Sequence, residues 1–125
     1  MMAPETSRLQ IVERHVNDVT ILHLTGEITL DDGDLAYGRA INQLMENNQT
    51  RILVDLSEVT RIDSSGIGMM AAKVKVVRGK GGDVRLMRLT RRTQHLVGML
   101  KLTMVFETFD DEAVALQSFA RRPGV

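Results

Sequence analysis

Hydrophobic residues in the first third of the chain form two strand-like runs and one helix-like stripe. Residues 19–24 (VTILHL) are rich in branched side chains and are closed by a Thr-Gly pair, and a similar segment covers residues 9–16. These runs predict two strands, with Asn17-Asp18 as the turn of a hairpin between them. From residue 34 to residue 47 the apolar positions recur at i, i+4, i+7 and i+8. That spacing predicts an amphipathic helix.

The rest of the chain alternates strand-like and helix-like segments. We predict strands over residues 51–56, 84–89 and 105–109. We predict helices over residues 65–78, from Thr90 onward with Leu96, Met99 and Leu100, and after Asp110 or Asp111 with Ala113, Leu116 and Ala120 facing inward. The resulting order is ββαβαβαβα. Helical crossovers imply parallel strands, so the sequence predicts an α/β domain with a mixed, mostly parallel β-sheet and helices packed on it.

The length and composition of the chain are typical of a single domain. The sequence has 125 residues, 43% of them hydrophobic and 26% charged, which is typical of one compact soluble domain. We assign residues 9–120 to this domain and expect flexible ends over residues 1–8 and 121–125. The longest apolar run, from Gly66 to Ala72, is far shorter than the roughly 20 residues that cross a bilayer. The first residues also lack the features of a secretory signal, so we expect no membrane insertion and a cytoplasmic location.

Composition excludes several kinds of chemistry. The chain has no cysteine, which rules out disulfides, thiolate metal ligands and a cysteine nucleophile. His15, His23 and His95 have no metal-binding spacing, and we predict neither a metal nor a cofactor. The net charge is zero, which argues against a nucleic-acid partner. However, residues 1–63 carry 5 basic and 11 acidic residues and residues 64–125 carry the reverse. This asymmetry predicts either attraction within one fold or a bipolar docking surface.

The segment from Asp55 to Met70, DLSEVTRIDSSGIGMM, carries more polar groups than the fold requires. It runs from a predicted buried strand through a turn into a helix that begins at two serines. A serine at a helix N-terminus is a good cap, worth about 1 kcal/mol. The second serine and the preceding Asp63 exceed that need and indicate a functional site. Gly66 would let another chain or a nucleotide approach the backbone. From spacing alone, a cap and a site remain equal alternatives.

Other polar clusters carry weaker signals. Helix capping explains Asp31, Asp32 and the aspartate that follows at position 34, and no calcium-loop spacing is present. The basic residues Arg88, Arg91 and Arg92 could contact acidic partners, although solvation of a surface explains them more simply. No nucleotide-binding loop motif surrounds the glycine cluster at residues 79–82.

The segment VDLSEVTRIDSSGIGMM resembles the signature of STAS domains, the family named for sulfate transporters and anti-sigma factor antagonists. The family pattern is an apolar strand, Asp-Leu-Ser, and then Asp-Ser-Ser-Gly opening a helix. The resemblance extends along almost the whole chain, through LTGE at residues 24–27, GGDV at residues 81–84 and the last predicted strand. It implies the same ββαβαβαβα order. A chain that holds this domain alone is similar to bacterial anti-sigma factor antagonists.

The resemblance also implies a function that is not enzymatic. Such a protein binds an anti-sigma factor that is also a serine kinase, and the sigma factor is released. Phosphorylation of one serine breaks this complex, and a serine phosphatase resets the switch. The family's phosphoacceptor matches Ser64, its preceding aspartate matches Asp63, and Ser65 matches the start of the helix.

The predicted helix after these serines has two apolar stripes. One stripe faces inward and contains Ile67, Met70, Ala71, Val74 and Val77. The second lies on roughly the opposite side of the helix, in line with Ser65. Either neighbouring helices cover this second stripe or it is an interaction surface. We expect a partner-binding surface made of Asp63, Ser64, Ser65, Gly66, Met69, Ala72 and Val76.

Two other functions remain as alternatives. Within the resemblance, the chain could be a scaffold subunit of a stress-sensing or transporter-associated assembly. Outside it, Ser64 or Ser65 could be the nucleophile of a hydrolase. That alternative has little support, because no histidine is near the serines in sequence and no G-x-S-x-G elbow is present.

Overall fold

The computed structural model describes residues 7–120 and has the predicted order of elements. The strands are β1 (Leu9–Val16), β2 (Val19–Ile28), β3 (Arg51–Ile62), β4 (Asp83–Met87) and β5 (Thr108–Phe109). The helices are α1 (Gly33–Glu46), α2 (Ser64–Gly79), α3 (Arg91–Met99) and α4 (Glu112–Ala120). The order ββαβαβαβα and the α/β class are therefore confirmed. Flexible ends were predicted for residues 1–8 and 121–125. Residues 1–6 and 121–125 lie outside the described residues, whereas Ser7 and Arg8 both donate hydrogen bonds to Asp32.

The five strands lie in the sheet in sequence order. β1 and β2 form the predicted antiparallel hairpin, in which Val16 pairs with Val19 and Asn17 in the turn has φ 55°. β2, β3, β4 and β5 are parallel neighbours, as expected for strands that helices connect. The mixed, mostly parallel sheet is confirmed.

Two hydrophobic cores lie on opposite faces of the sheet. On one face, α1, α2 and α3 pack on alternate residues of the central strands, including Leu22, Leu24, Ile52 and Val54. On the other face, α4 covers a smaller core formed by residues such as Ile21, Leu53 and Met87. The alternation follows from the period of two along a strand. The central strands are buried on both faces because helices cover both.

The spacing of apolar residues predicts the buried face of α2 but only part of the buried face of α4. In α2 the fully buried residues Met70, Val74 and Val77 recur at i, i+4 and i+7 and face the sheet. In α4 the prediction holds for Leu116, which packs against the smaller core, and was wrong for the two alanines. Ala115 and Phe119 are the buried residues, Leu116 is partly buried, and Ala113 and Ala120 are exposed. The large Phe119 ring sets the rotation of this short helix, because its burial outweighs that of an alanine methyl group.

Element lengths also differ from the sequence prediction. β3 continues to Ile62 instead of ending at residue 56, because β2 continues to Ile28 and pairs with it. β4 ends at Met87, since Arg88 has φ 56° and turns the chain out of the sheet. β5 has only two residues, because residue 105 of the predicted strand lies in a turn and residues 106–107 are irregular. The long β3 carries the chain well past the end of β4 and leads directly into α2.

Candidate functional site

The start of α2 is capped by Asp63, not by a serine. The carboxylate Oδ1 of Asp63 accepts a hydrogen bond from the backbone N–H of Gly66 at 2.9 Å. The helix begins at Ser64, one residue earlier than predicted. Sequence reasoning assigned the cap to a serine and treated the aspartate as surplus, which was wrong. The carboxylate takes this position because it accepts more strongly than a hydroxyl and benefits from the helix dipole.

The same carboxylate ties α2 to the end of β2. Its second oxygen, Oδ2, accepts a hydrogen bond from the backbone N–H of Leu30 at 3.0 Å. The hydrogen bond from Gly66 holds the pKa of Asp63 below its usual range; burial opposes this effect, and the hydrogen bond from Leu30 adds to it. Asp63 is therefore ionised at neutral pH. It fixes both the helix start and the adjoining loop.

The two serines have different environments. Ser65 is half-buried, and its hydroxyl donates a hydrogen bond to the Oδ2 atom of Asp34 at 2.7 Å. Ser64 is exposed at the first position of the helix. Among residues 7–120, no partner hydrogen-bonds to its hydroxyl group and no hydrogen bond joins either serine to a histidine. Ser64 is thus the serine whose oxygen is available at the surface.

Asp34 is the residue that sequence reasoning missed. It is buried, with 4% relative exposure, and its Oδ1 atom accepts backbone hydrogen bonds from Asp32 and Leu35. The predicted capping role of the acidic segment is confirmed in position but not in hydrogen bonding. Asp32 occupies the N-cap position of α1 without a side-chain cap bond, and instead binds Ser7 and Arg8. In the sequence, Asp34 is recognisable only as part of a short polar loop. Nothing local links it to Ser65, which lies 31 residues further along the chain.

Gly66 is buried against the protein's own backbone. A Cβ atom at this position would lie 1.9 Å from the carbonyl oxygen of Ile28. The close approach that the glycine permits is therefore made by β2, and the notion that it admits a foreign chain or a nucleotide was wrong. Gly66 supports the site from beneath, since it lets α2 start directly on the end of the sheet.

The second stripe of α2 is only partly open. Met69 is half-buried against the hydrophobic core and lies beside Gly38 of α1, so a neighbouring helix covers it. Ala72 and Val76 are exposed, and Val76 retains 44% of its accessible surface. Between them and Ser64 lies Gly68, which has open space where a side chain would be. Ser64, Gly68, Ala72 and Val76 thus follow each other at intervals of four along one exposed face.

Two leucines next to this face were not foreseen. Leu30 is 62% exposed and lies in the loop whose backbone Asp63 holds. Leu35, 43% exposed, follows directly after Asp34, which binds Ser65. Exposed apolar side chains that lie close together are typical of interaction surfaces. We refer to Leu30, Leu35, Ser64, Ala72 and Val76 as the candidate docking surface.

A separate polar cluster lies on the α4 face of the sheet. Asp55 is buried, and its Oδ2 atom lies 2.9 Å from Nδ1 of His23 and 3.3 Å from Nη1 of Arg88. Burial raises the pKa of Asp55, but hydrogen bonds from Ser57 and His23 outweigh it and hold the pKa below its usual value. Arg88, which sequence reasoning left as a solvated or partner-binding residue, therefore has a structural partner.

No group of histidine and carboxylate side chains within residues 7–120 is arranged to hold a metal ion. The described helices are also too short or too polar to cross a membrane.

The fold and the site define the class of protein. It is a small α/β domain with one mixed sheet, in which the helix that follows β3 begins with an exposed serine. The chain belongs to the STAS domain family, whose model matches residues 10–115. The anti-sigma-F factor antagonist RsfB of Mycobacterium tuberculosis is 32% identical over 113 residues, which are 89% of this chain and 90% of RsfB. The family predicted from the segment around Ser64 is thereby confirmed.

Solved structures with lower identity have the same fold. The crystal structure of an anti-sigma factor antagonist from Mycobacterium paratuberculosis superposes with a TM-score of 0.81 at 20% identity, covering 97% of this chain and 100% of that one. The structure of the Bacillus cell fate determinant SpoIIAA in its phosphorylated form has a TM-score of 0.68 at 16% identity. The match covers 90% of this chain and 100% of the SpoIIAA chain.

Proposed function

We propose that this protein is an anti-sigma factor antagonist that acts by partner switching. Unmodified, it binds an anti-sigma factor that is also a serine kinase, and phosphorylation of Ser64 releases that partner. Membership of the STAS family supports the class of protein, and the similarity to RsfB, an anti-sigma-F factor antagonist, supports the partner. A serine phosphatase completes the cycle. The protein acts in the cytoplasm, where sigma factors act, and it contributes binding rather than catalysis.

The contrast between the two serines is the observation that carries the choice of Ser64. A kinase must place the acceptor hydroxyl in line with the γ-phosphate of ATP, so the hydroxyl has to be accessible. Ser64 is exposed, whereas the hydroxyl of Ser65 is half-buried and bound to Asp34. Phosphorylation of Ser65 would break that bond and bring a dianion beside a buried carboxylate. Ser64 has no such obstacle.

The fold tolerates a phosphate on Ser64. The group adds about −1.5 to −2 charges at the first turn of α2, where free backbone N–H groups and the helix dipole favour an anion. Asp63 is close, but its carboxylate faces Gly66 and Leu30, which partly neutralise it. The phosphorylated protein should therefore keep its structure, and the effect should fall on the partner.

Binding, in contrast, should not tolerate the phosphate. A partner that packs over the candidate docking surface would bury a dianion among exposed apolar residues such as Leu30 and Val76. Moving a complex from 99:1 to 1:99 requires about 5.5 kcal/mol of differential affinity. An exposed charge contributes far less than this. The switch therefore requires Ser64 inside the interface.

Not every residue of the expected partner-binding set contacts the partner in this proposal. Ser64, Ala72 and Val76 form the contact face, and Met69 contributes its exposed part. Asp63, Ser65 and Gly66 instead hold the turn in shape, through the hydrogen bonds and the close contact with β2.

A capture experiment from the source cytoplasm tests the proposal. Baits are the wild-type protein, Ser64→Asp, and Thr103→Asp as a matched control on an exposed residue in the turn-rich segment before β5. Mass spectrometry should identify a serine kinase with an ATPase-type nucleotide site on the wild-type and Thr103→Asp baits, and its loss on Ser64→Asp. Equal capture of that kinase by all three baits would remove Ser64 from the switch. Capture of one large multi-subunit assembly by every bait would favour a scaffold subunit instead.

A substitution on the contact face tests the surface independently of phosphate. Val76→Lys places a charge at the C-terminal end of the exposed stripe without touching the core, and Lys75→Ala on the same helix is its control. Val76→Lys should abolish capture of the kinase at unchanged stability. Met69→Lys should do the same if its melting temperature stays near that of the wild type, which circular dichroism measures. Normal kinase binding by a folded Val76→Lys protein would contradict the proposed surface.

A further inference from the structure

β3 has an open edge beyond the end of β4. β4 pairs with β3 only from Arg51 to Asp55, whereas β3 continues to Ile62. Arg88 turns the chain away with φ 56°, and its guanidinium group binds Asp55. Within residues 7–120, no strand pairs with β3 on this side after Asp55. Backbone groups of β3 between residues 58 and 62 that point to this side are therefore open to another strand, whereas the N–H of Ser57 already donates to Oδ1 of Asp55.

A groove of about 500 Å³ runs along this open edge. One wall is the backbone of β3, and the opposite wall is the N-terminal turn of α3. The lining residues are Ser57, Glu58, Val59, Thr60, Thr90 and Arg92. Val59 is buried in the hydrophobic core and provides an apolar floor, whereas the remaining residues of this stretch of β3 are exposed. The groove combines unpaired backbone with a mixed lining, which suits an extended peptide.

The charge of the groove selects for acidic side chains. Arg91 and Arg92 are exposed on the first turn of α3, and the N-terminus of that helix adds a partial positive charge. Thr90 already caps the helix by accepting a hydrogen bond from the N–H of Thr93. Glu58 is the one carboxylate in the lining. Arg92 balances it within the lining, and Arg91 on the same turn and the helix N-terminus add the excess of positive charge that would attract acidic residues of an incoming segment.

We propose that this edge binds an extended acidic segment of a partner protein as an added β-strand next to residues 57–60. Two irregularities in the pairing of β2 with β3, one of them at Thr60, limit the added ladder to a few residues. Such bulges also discourage uncontrolled pairing between copies of the chain. The groove is separate from the candidate docking surface, and its occupant does not depend on the state of Ser64.

Three synthetic peptides and two protein variants test this binding. The peptides are an acetylated hexapeptide that alternates glutamate and valine, the same peptide with lysine for glutamate, and the glutamate peptide with every backbone amide N-methylated. The variants are the double substitution Arg91→Glu and Arg92→Glu, and Arg39→Glu, which reverses an exposed charge on α1 as a control. Backbone amide chemical shifts in NMR titrations of the full chain report the site and the affinity.

The glutamate peptide should shift the amide signals of residues 57–60 and 90–92. The lysine and N-methylated peptides should each bind at least about tenfold more weakly, and so should the glutamate peptide with the double variant. Arg39→Glu should bind like the wild type. The proposal is wrong if N-methylation leaves the affinity unchanged, if both charged peptides bind alike, or if millimolar glutamate peptide shifts none of these signals. Shifts confined to residues 64–76 would also contradict it, without bearing on Ser64 as a switch.

Discussion

Gly66 and Gly68 lie two residues apart in α2 and should respond in opposite ways to the same added methyl group. A Cβ atom on Gly66 would lie 1.9 Å from the carbonyl oxygen of Ile28 and 2.9 Å from its carbonyl carbon. Ordinary contact begins at 3.4 Å, so the start of α2 would have to move away from β2 by about 1.5 Å, the difference between the two distances. A Cβ atom on Gly68 meets nothing within 4 Å.

The movement forced by Gly66→Ala would break more than one interaction. Asp63 bridges the helix and the loop through hydrogen bonds to Gly66 and Leu30, and a hydrogen bond to a charged group contributes about 1.5–3 kcal/mol. Overpacking adds about 1–3 kcal/mol. Gly66→Ala should therefore lower the free energy of unfolding by about 3 kcal/mol or more. Gly68→Ala should raise it by about 0.5–1 kcal/mol, because alanine is the better helix former.

Urea unfolding followed by circular dichroism measures both values. Total stability of a domain is about 5–15 kcal/mol, so Gly66→Ala should either shift the midpoint strongly or prevent folding. Gly68→Ala is the control that shows whether α2 accepts alanine at all. A Gly66→Ala protein within about 0.5 kcal/mol of the wild type would refute the close contact between α2 and β2, and with it the account of how the turn is held.

Three further predictions concern polar groups. In a double-mutant cycle, Ser65→Ala and Asp34→Asn should be coupled by about 1–2 kcal/mol in urea unfolding, and purely additive effects would contradict their hydrogen bond. The hydroxyl group of Tyr37 is fully buried, and no described residue hydrogen-bonds to it, so Tyr37→Phe should leave stability unchanged or raise it by up to about 1 kcal/mol; a loss above that, in thermal melting, would reveal a partner. Stability should fall in acid, because Asp55 and Glu112 have folded-state pKa values below their unfolded ones: their contribution is complete above about pH 4.5 and disappears as the pH drops through the folded values. Unfolding free energies that stay constant from pH 6 to pH 3 would contradict that sign.

The order of elements could be predicted because each element has a local signal. The apolar period of α1, the turn at Asn17 and the glycine cluster after α2 depend only on neighbours in sequence. The ends of β3 and β4 could not be predicted in this way. β3 is extended by its pairing with β2, and β4 is shortened by the left-handed conformation of Arg88, whose side chain binds Asp55. Both are consequences of tertiary contacts.

The site could be located from sequence but not resolved into roles. The DSSG segment drew attention because it is more polar than a cap requires, and the family resemblance singled out Ser64. Local rules, however, do not distinguish which polar group caps the helix or which serine is exposed. Those roles depend on Asp34 and on the Ile28 carbonyl, which the fold brings to the turn from distant parts of the chain. The interpretation from spacing alone was therefore wrong about both residues: it treated Asp63 as a surplus group and Gly66 as a partner contact.

The most direct test of the proposed switch is the affinity of the captured kinase for two forms of this protein, measured by isothermal titration calorimetry. One form is unmodified, and the other is phosphorylated by that kinase with ATP, with the modified residue identified by mass spectrometry. We predict phosphate on Ser64 and an affinity about 10⁴-fold weaker for the phosphorylated form, at a melting temperature close to that of the unmodified protein. Phosphate on Ser65, or equal affinities for the two forms, would contradict the account.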